Sequence, residues 1–155
     1  MIIYDFDGVM TDNRALISMS GEEQVFINRS DGMAIAQFRS LGVKQMILSS
    51  EVNNIVQKRA EKLGIVSVNG IDDKAKWFRC FLEDNDVQSS SVLYIGNDIN
   101  DLQIMKLVGM SVCPVDAYET IKRVATIILN SRGGYGAVRE MLDNRKILNF
   151  LKIKL

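Results

Sequence analysis

Short apolar runs rich in β-branched residues recur along this 155-residue chain. They cover residues 2–6, 43–48, 65–68, 92–95, 111–115 and 126–129. Runs of this length and composition are typical of strands buried on both faces of a sheet. The pattern therefore predicts six buried strands.

Between the runs lie segments with helical spacing of apolar residues, at 33–41, 52–63, 74–82, 101–108 and 118–125. Three of these segments end directly before a glycine, where helices commonly stop, at Gly42, Gly64 and Gly109. Strands that alternate with helices form crossover units. We therefore expect an α/β fold of three layers, Rossmann-like, with helices on both faces of a mostly parallel sheet.

Two segments depart from this alternation. Residues 14–29 carry two β-like runs around the sequence SGEE, which predicts a β-hairpin that projects from the sheet. The tail at 137–155 has helical apolar spacing and a basic end, and could pack on the body, pack on a partner subunit or fray. With 47% hydrophobic residues and no linker, we expect one domain over residues 1–155.

The overall charge narrows the choice of partners. Basic and acidic residues number 19 each, so no global field attracts nucleic acid or an anionic membrane. No apolar run approaches the roughly 18 to 20 residues of a spanning helix, and no secretory signal pattern opens the chain. We therefore expect a cytoplasmic protein whose partner is a small molecule.

The residue types that are rare or missing exclude several kinds of catalytic and metal site. The chain has no histidine, which excludes serine-histidine triads and histidine zinc sites. Cys80 and Cys113 fit free thiols better than a disulfide, and neither has the arginine six positions later that a thiolate phosphatase loop requires. Carboxylates, lysine, hydroxyls or a hard metal ion must carry any reaction.

Polar residues collect where the predicted strands end. Asp5 and Asp7 fall at the end of the first strand, where ligands of open α/β sheets bind, although Asp7-Gly8 alone would equally indicate a turn. The later strands lead to Ser49 and Ser50, to Lys74, and to GNDIND at 96–101. Acid and amide oxygens suit Mg²⁺, while a lysine and a serine can bind phosphoryl oxygens.

Four of these sequences together resemble a known superfamily. The order DFDGVMTD, ILSS, DDK, GNDIND is similar to the four motifs of haloacid dehalogenase phosphotransferases and spans most of the chain. The wider pattern DFDGVMTDN, RSDGMAI, ILSSE and RGGYGAVREMLD resembles the subfamily that removes the 8- or 9-phosphate of octulosonic and nonulosonic acids. In that subfamily the same module also occurs fused to acylneuraminate cytidylyltransferases.

The resemblance implies a role for each catalytic residue. Asp5 would be the nucleophile that forms an aspartyl phosphate. Asp7 would protonate the leaving group and then activate water, with its carbonyl on the metal. Ser49 and Lys74 would bind the phosphoryl oxygens.

The resemblance also implies Mg²⁺ as the cofactor, held by Asp5 and Asp7 together with a residue of the fourth motif. Asn97 stands where the superfamily commonly has an aspartate, so either Asn97 or the neighbouring Asp98 would be the third ligand. Asp101 could belong to the site or could stabilise the amino terminus of its own helix.

Substrate recognition is expected from a trio on the predicted helix after the second motif. Glu51, Arg59 and Lys62 would lie within about 80° of each other around that helix. Matching residues recognise the sugar in the branch that acts on nine-carbon keto acids, but the trio could equally be a solvated helix face. Further candidate contacts are Ser50, Arg29, Asp31 and the RGGYG loop at 132–136, whose glycines tight turns would also explain.

The motif spacing leaves no room for a cap domain. Only 43 residues separate Asp5 from Ser49, and 24 separate Ser49 from Lys74. Capless proteins of the resembled subfamily are tetramers, and an open site would bind a small sugar phosphate poorly. We therefore expect a homotetramer in which a neighbouring subunit covers each active site.

The resulting hypothesis is a Mg²⁺-dependent phosphatase for an acylneuraminate or KDN 9-phosphate. KDO 8-phosphate is the alternative substrate. An alternative of another class is a catalytically weak oligomerisation module associated with CMP-acylneuraminate synthesis. Residue 1 could be the natural start or the cut edge of a longer chain.

Overall fold

The structure, a computed structural model, describes residues 1–154. Its strands are β1 Ile2–Tyr4, β2 Thr11–Ile17, β3 Glu23–Ile27, β4 Gln45–Leu48, β5 Val66–Val68, β6 Leu93–Ile95, β7 Met110–Cys113 and β8 Ile127–Ile128. Its helices are α1 Arg29–Ser40, α2 Asn54–Leu63, α3 Lys74–Asn85, α4 Leu102–Met105, α5 Glu119–Lys122, α6 Ala137–Met141 and α7 Arg145–Phe150.

The predicted parallel sheet is confirmed. Six strands pair in the order β5-β4-β1-β6-β7-β8, and every pair is parallel. One apolar cluster, which includes Phe38 and Val138, covers one face, and a second, which includes Phe78 and Ile104, covers the other. Helices α1, α2, α6 and α7 contribute to the first cluster and α3, α4 and α5 to the second, which gives the three layers.

Strand β1 lies at the centre of the sheet and marks the point where the strand order reverses. The chain first builds outward through β4 and β5, then crosses to β6 on the other side of β1. The loops after β1, β4 and β6 all leave the sheet at its carboxyl edge. Because the strand order reverses at β1, a crevice forms there between these loops, and open α/β sheets bind ligands in such a crevice.

The predicted hairpin is present as β2 and β3, which pair only with each other. It begins at Thr11, earlier than expected, and its register shifts between Thr11 and Ala15. Four large apolar side chains on it are exposed, those of Leu16, Ile17, Met19 and Phe26. The hairpin therefore presents an apolar surface that residues 1–154 do not cover.

Several predicted helix boundaries were wrong because capping residues decide where a helix begins. Helix α1 starts at Arg29 rather than residue 33, since the Asn28 side chain accepts a hydrogen bond from the Ser30 backbone N–H. Helix α2 starts at Asn54 rather than residue 52, capped in the same way by Asn53.

The segments predicted as helices at 101–108 and 137–155 are also divided. The first is a 3-10 turn, Ile99–Asp101, followed by the single-turn helix α4. The tail forms α6 and α7, with Asn144 capping α7, and α6 packs against α1 on the body. Leu155 lies outside the described residues. No helix in the described part of the chain has both the length and the apolar character that a membrane crossing requires.

The RGGYG loop packs directly against the loop after β1. Gly134 donates its N–H to the Val9 carbonyl at 3.0 Å. A Cβ at Gly133 would overlap the Gly8 carbonyl group, so close backbone approach, rather than a turn alone, requires glycine there.

We expect Gly133→Ala to lower the free energy of unfolding by roughly 2 kcal/mol or more, because its Cβ would meet backbone that cannot move aside. Gly42→Ala is the control: Gly42 has a φ of +76°, but a Cβ added there would meet no heavy atom within 4 Å, so only the left-handed conformation costs about 1 kcal/mol. Urea unfolding of both variants measures the difference, and a smaller loss for Gly133→Ala would contradict the close approach.

Candidate active site

A small pocket opens at the carboxyl edge of the sheet. Its volume is about 110 Å³, and its lining residues are Asp5, Asp7, Asn13, Ser49, Ser50, Glu51, Asn97, Asp98 and Asn100. The structure thus brings together seven residues that the sequence proposed for the site. A wider cleft of about 550 Å³ beside α6 is lined by other residues, from Ser30 to Asn144, and contains none of the proposed catalytic groups.

A buried ion network lies behind the pocket. The Lys74 ammonium donates to Asp5 Oδ1 at 2.6 Å and to Asp101 Oδ1 at 2.7 Å. The Tyr94 hydroxyl also donates to Asp101 Oδ1, at 2.6 Å. Burial by itself would lower the pKa of Lys74, but the two carboxylates outweigh it and hold that pKa above its ordinary value. Lys74 therefore carries its charge in the interior.

Burial and neighbouring charges have opposing effects on the pKa of the Asp5 carboxyl. Burial, and then repulsion from Asp101, raise the pKa of Asp5 to about 7, although Lys74 opposes the shift. A cation bound to this carboxyl would favour its charged form, which is the form a nucleophile needs.

Asp101 has both of the roles that the sequence left open. Its Oδ2 accepts the backbone N–H groups of Asn97, at 2.8 Å, and Asp98, at 3.3 Å, and forms a capping box with Asp98. Its Oδ1 binds Lys74. The fourth-motif loop and the buried lysine are therefore fixed by one side chain. Tyr94 was not predicted as part of the site, because a tyrosine within an apolar run is typical of a buried core strand.

The Asn97 side-chain amide lies beside two oxygen atoms at the pocket floor. Its hydrogen bonding is satisfied when its nitrogen donates to the Asp7 carbonyl oxygen at 2.8 Å and to Asp5 Oδ2 at 3.1 Å. Turned the other way, the amide would bring its oxygen to the same two atoms. The ligand oxygens of octahedral Mg²⁺, with bonds of about 2.1 Å, are adjacent at about 3 Å, so a turned Asn97 amide would complete an oxygen set that fits that ion.

Asp98 is less suited to be the third ligand. Its side chain accepts the Ile99 N–H at 2.6 Å and caps the 3-10 turn. Within residues 1–154, no three acidic or cysteine side chains gather closely enough to hold a metal ion by themselves. Asn97 and the Asp7 carbonyl are therefore needed to complete the set.

The charge of the pocket also favours a cation. Four acids line it, Asp5, Asp7, Glu51 and Asp98, and no lysine or arginine is among its lining residues. Lys74 lies behind them and is shared between two carboxylates. A phosphate dianion would be repelled here unless a divalent cation were also bound.

Asp7 and Ser49 are oriented by neighbouring groups. The Thr11 hydroxyl donates to Asp7 Oδ1 at 3.3 Å, and burial raises the pKa of Asp7 despite this bond. A raised pKa suits a group that must deliver a proton. Ser49 is 1% exposed, and its Oγ accepts the Glu51 N–H at 3.0 Å, which leaves its hydroxyl hydrogen free for a ligand.

The predicted recognition trio does not converge in one chain. Glu51 lines the pocket but precedes α2, so the expected common helix face was wrong. Arg59 turns toward α1, where its Nη2 donates to the Asn28 carbonyl at 3.3 Å. Lys62 is exposed near the far end of α2, about 12 Å along the axis from Asn54 at 1.5 Å per residue.

Arg29 and Asp31 also lie outside the pocket lining. Arg29 is in the first turn of α1. Asp31 is 1% exposed, and its Oδ1 accepts the Arg139 N–H at 2.9 Å, which ties α1 to α6. Burial raises the pKa of Asp31 to about 6, although the Arg139 N–H and Arg59 oppose the shift.

Two lining residues, Asn13 and Asn100, were not predicted. Asn13 has a φ of +64°, and Asn100 donates from Nδ2 to Ser50 Oγ at 3.2 Å. Both stand inside quoted motifs, DFDGVMTDN and GNDIND, but asparagines in such loops ordinarily indicate turns.

A family profile described as haloacid dehalogenase-like hydrolase matches residues 42–142. The chain belongs to this family. The predicted superfamily is confirmed by this match, and the prediction of a phosphoric monoester hydrolase agrees with the names of the relatives below.

Among curated relatives of this haloacid dehalogenase-like hydrolase is the 3-deoxy-D-manno-octulosonate 8-phosphate phosphatase of Salmonella typhi. It is 32% identical over 144 residues, which are 92% of this chain and 77% of that protein. N-acylneuraminate cytidylyltransferase A of Danio rerio is 29% identical over 96% of this chain, which spans only 35% of that longer protein.

Among solved structures, the 3-deoxy-D-manno-octulosonate 8-phosphate phosphatase of Moraxella catarrhalis superposes with a TM-score of 0.90 at 26% identity. The match covers 97% of this chain and 86% of that one. The Moraxella protein is in complex with magnesium, phosphate and KDO. Its metal agrees with the cofactor expected from the sequence.

Asp31 predicts a pH dependence of stability. Its pKa rises from 3.8 to about 6 on folding, so between these values the folded state binds more protons than the unfolded state. Stability from this group is therefore present below about pH 4 and is lost as pH rises to about 6.

We expect the free energy of unfolding of the wild type to fall, relative to Asp31→Asn, by on the order of 2–3 kcal/mol between about pH 4 and about pH 7. Urea unfolding at several pH values measures this difference. The exposed Asp143→Asn variant should follow the wild type, and a pH-independent difference for Asp31→Asn would contradict the buried carboxyl.

Proposed function

We propose that the protein is a Mg²⁺-dependent phosphatase that removes the terminal phosphate of an eight- or nine-carbon keto sugar acid. The close approach of the Asn97 amide to the Asp7 carbonyl oxygen and Asp5 Oδ2 carries this proposal, because these three groups can supply a hard-cation site at the buried Asp5 carboxyl. The family, and relatives named for this reaction, support it.

The placement of the side chains is compatible with the reaction that the family resemblance implies. The Asp5 carboxylate attacks phosphorus and forms an aspartyl phosphate, while the sugar alkoxide leaves with a proton from Asp7. Asp7 then takes a proton from the water that hydrolyses this intermediate. Lys74 balances charge on Asp5, and the Ser49 hydroxyl donates to a phosphoryl oxygen. Mg²⁺ held by Asp5, Asp7 and Asn97 would neutralise charge on the transferred group.

Two substrates remain as candidates. Acylneuraminate or KDN 9-phosphate rests on the resemblance of Glu51, Arg59 and Lys62 to the recognition residues of that branch. Arg59 and Lys62 are outside the pocket lining of their own chain, so they could contact only the part of the substrate that extends past the rim or a substrate in a neighbouring copy. KDO 8-phosphate is supported by relatives of comparable length that bear this name.

A homotetramer is also proposed, because a single chain leaves two surfaces uncovered. The pocket is open, and the exposed apolar residues of the hairpin, such as Leu16 and Phe26, require a covering surface. A hairpin placed over a neighbouring pocket would bury this surface and exclude water from the reaction.

A weakly active oligomerisation module is the second candidate function. It is favoured by the match to N-acylneuraminate cytidylyltransferase over 96% of this chain and by the uncharged Asn97. The buried Asp5, Lys74 and Asp101 network argues against it, because a scaffold gains nothing from burying these charges.

We expect the wild type to hydrolyse KDO 8-phosphate or KDN 9-phosphate only with Mg²⁺, since the acid-lined pocket repels phosphate otherwise. Asp5→Asn should lower kcat by about a thousandfold or more, because the nucleophile is lost. Phosphate release is measured with Mg²⁺ and after chelation, and the ratio of kcat/KM for the two phosphates identifies the preferred substrate.

The exposed Asp72→Asn variant is the control and should match the wild type. Size-exclusion chromatography should give one assembly for all three proteins. Equal activity of wild type and Asp5→Asn, or no Mg²⁺-dependent turnover, would leave the oligomerisation module as the better account.

We expect Phe26→Asp to produce a smaller assembly with a higher KM for the sugar acid phosphate, because a charge would enter the covered hairpin surface. Phe26 is 73% exposed in the single chain, so the substitution should not lower the free energy of unfolding of that chain. Val66→Asp, at a side chain 63% exposed on the edge strand, is the control. Light scattering measures the mass, and a monomeric wild type would contradict the assembly.

A further inference from the structure

The pocket accommodates the phosphate but not the rest of the proposed substrate. At about 110 Å³ it has room for a phosphoryl group, whereas an eight- or nine-carbon acid must extend past its rim. Asp5, Ser49 and Asn97 form the buried floor, and Asn13, Glu51 and Asn100 are exposed around it. The organic part of the substrate therefore meets these three rim residues.

Asn13 has a backbone conformation that its position in a strand does not explain. Within residues 1–154, positive φ outside glycine occurs at Asn13, Asp86 and Lys152. Asp86 is the C-cap of α3 and Lys152 directly follows the end of α7, so helix termination accounts for both. Asn13, with φ of +64°, lies within β2.

The cause is the irregular pairing of the hairpin between Thr11 and Ala15. Such bulges commonly redirect a side chain beside an active site. Glycine would adopt this conformation at the lowest energetic cost, and asparagine tolerates it. The backbone conformation alone therefore does not require the polar side chain of Asn13.

The Asn13 amide is available to a ligand. Its backbone N–H donates to Thr11 Oγ1 at 3.2 Å, and the Thr11 hydroxyl donates to Asp7, which fixes Asn13 relative to the proposed acid. The side-chain amide makes no hydrogen bond with any residue in the described range 1–154. It therefore offers both a donor and an acceptor to the pocket mouth.

Asn100 also lines the pocket, and its amide oxygen makes no hydrogen bond with any of residues 1–154. Its Nδ2 donates to Ser50 Oγ, and Ser50 in turn donates to the Ile71 carbonyl at 2.9 Å. This chain fixes the amide so that Oδ1 remains as an acceptor.

Building on the proposed function, we propose that Asn13 and Asn100 determine specificity by binding hydroxyl groups of the leaving group next to its phosphate ester. The rim suits hydroxyls because it offers neutral amides and the acceptor carboxylate of Glu51. A substrate carboxylate would be repelled by Glu51 and Asp98 and must point away from this rim. The substrate class is thus a phosphate monoester with hydroxyls on the carbons beside the ester.

The test compares two classes of phosphate ester in four proteins. Steady-state kinetics are measured for wild type, Asn13→Gly, Asn100→Ala and Asp86→Gly, with KDO 8-phosphate, KDN 9-phosphate and p-nitrophenyl phosphate, whose leaving group has no hydroxyl beside the ester. Asp86→Gly is the matched control, because it relieves the same left-handed conformation at the end of α3, outside the pocket.

We expect Asn13→Gly and Asn100→Ala each to reduce kcat/KM for the preferred sugar acid phosphate, relative to p-nitrophenyl phosphate, roughly 3- to 10-fold. The change should appear mainly in KM, and the melting temperatures of Asn13→Gly and Asp86→Gly should equal or exceed that of the wild type. Asp86→Gly should keep the wild-type ratio.

Ratios within about twofold of the wild type, or equal losses on all esters, would overturn this inference and leave the phosphatase function standing. A wild type that hydrolyses only p-nitrophenyl phosphate would overturn the substrate class. A wild type that hydrolyses none of the esters would overturn the proposed function and this inference with it.

Discussion

The buried ammonium of Lys74, held between the carboxylates of Asp5 and Asp101, constrains the rest of this molecule. The three residues come from the loop after β1, the start of α3 and the loop after β6, so their contact requires all three segments to be packed correctly. A buried charge that loses one partner is strongly destabilising. The same ion pairs that join these segments therefore also hold the Asp5 carboxyl, the proposed nucleophile, in its position.

The distribution of charge around the pocket connects this ion network with the proposed cation site. Behind the pocket, one lysine neutralises part of the charge on two carboxylates, and in front of it the remaining acids face solvent without a basic partner among the lining residues. Asn97 places a neutral amide, rather than a further acid, beside Asp5 and the Asp7 carbonyl. Under the proposed function, the site would need a cation before an anionic substrate could enter, and the neutral amide would limit its affinity for that cation.

Different structural elements at the carboxyl edge of the sheet have different proposed roles. Under the two proposals, the strand ends would hold the groups that act on phosphorus, and the hairpin and the 3-10 turn would carry the rim that meets the organic part of the substrate. Such a division lets the rim vary without disturbing the ion network. The apolar hairpin surface adds a further requirement, because its large side chains are left exposed by the described part of their own chain.

The order of apolar runs and motifs was enough to predict the six-stranded parallel sheet, the hairpin and the placement of Asp5, Asp7, Ser49 and Asn97 at one edge. These features depend on local apolar periodicity and on the rule that parallel strands end together. Three-dimensional packing was needed to show that Glu51 precedes its helix, that Arg59 turns toward Asn28, and that Tyr94 and Asp101 support Lys74. Capping bonds, a strand bulge and buried ion pairs set these positions, and each joins groups whose spacing along the chain carries no periodic signal.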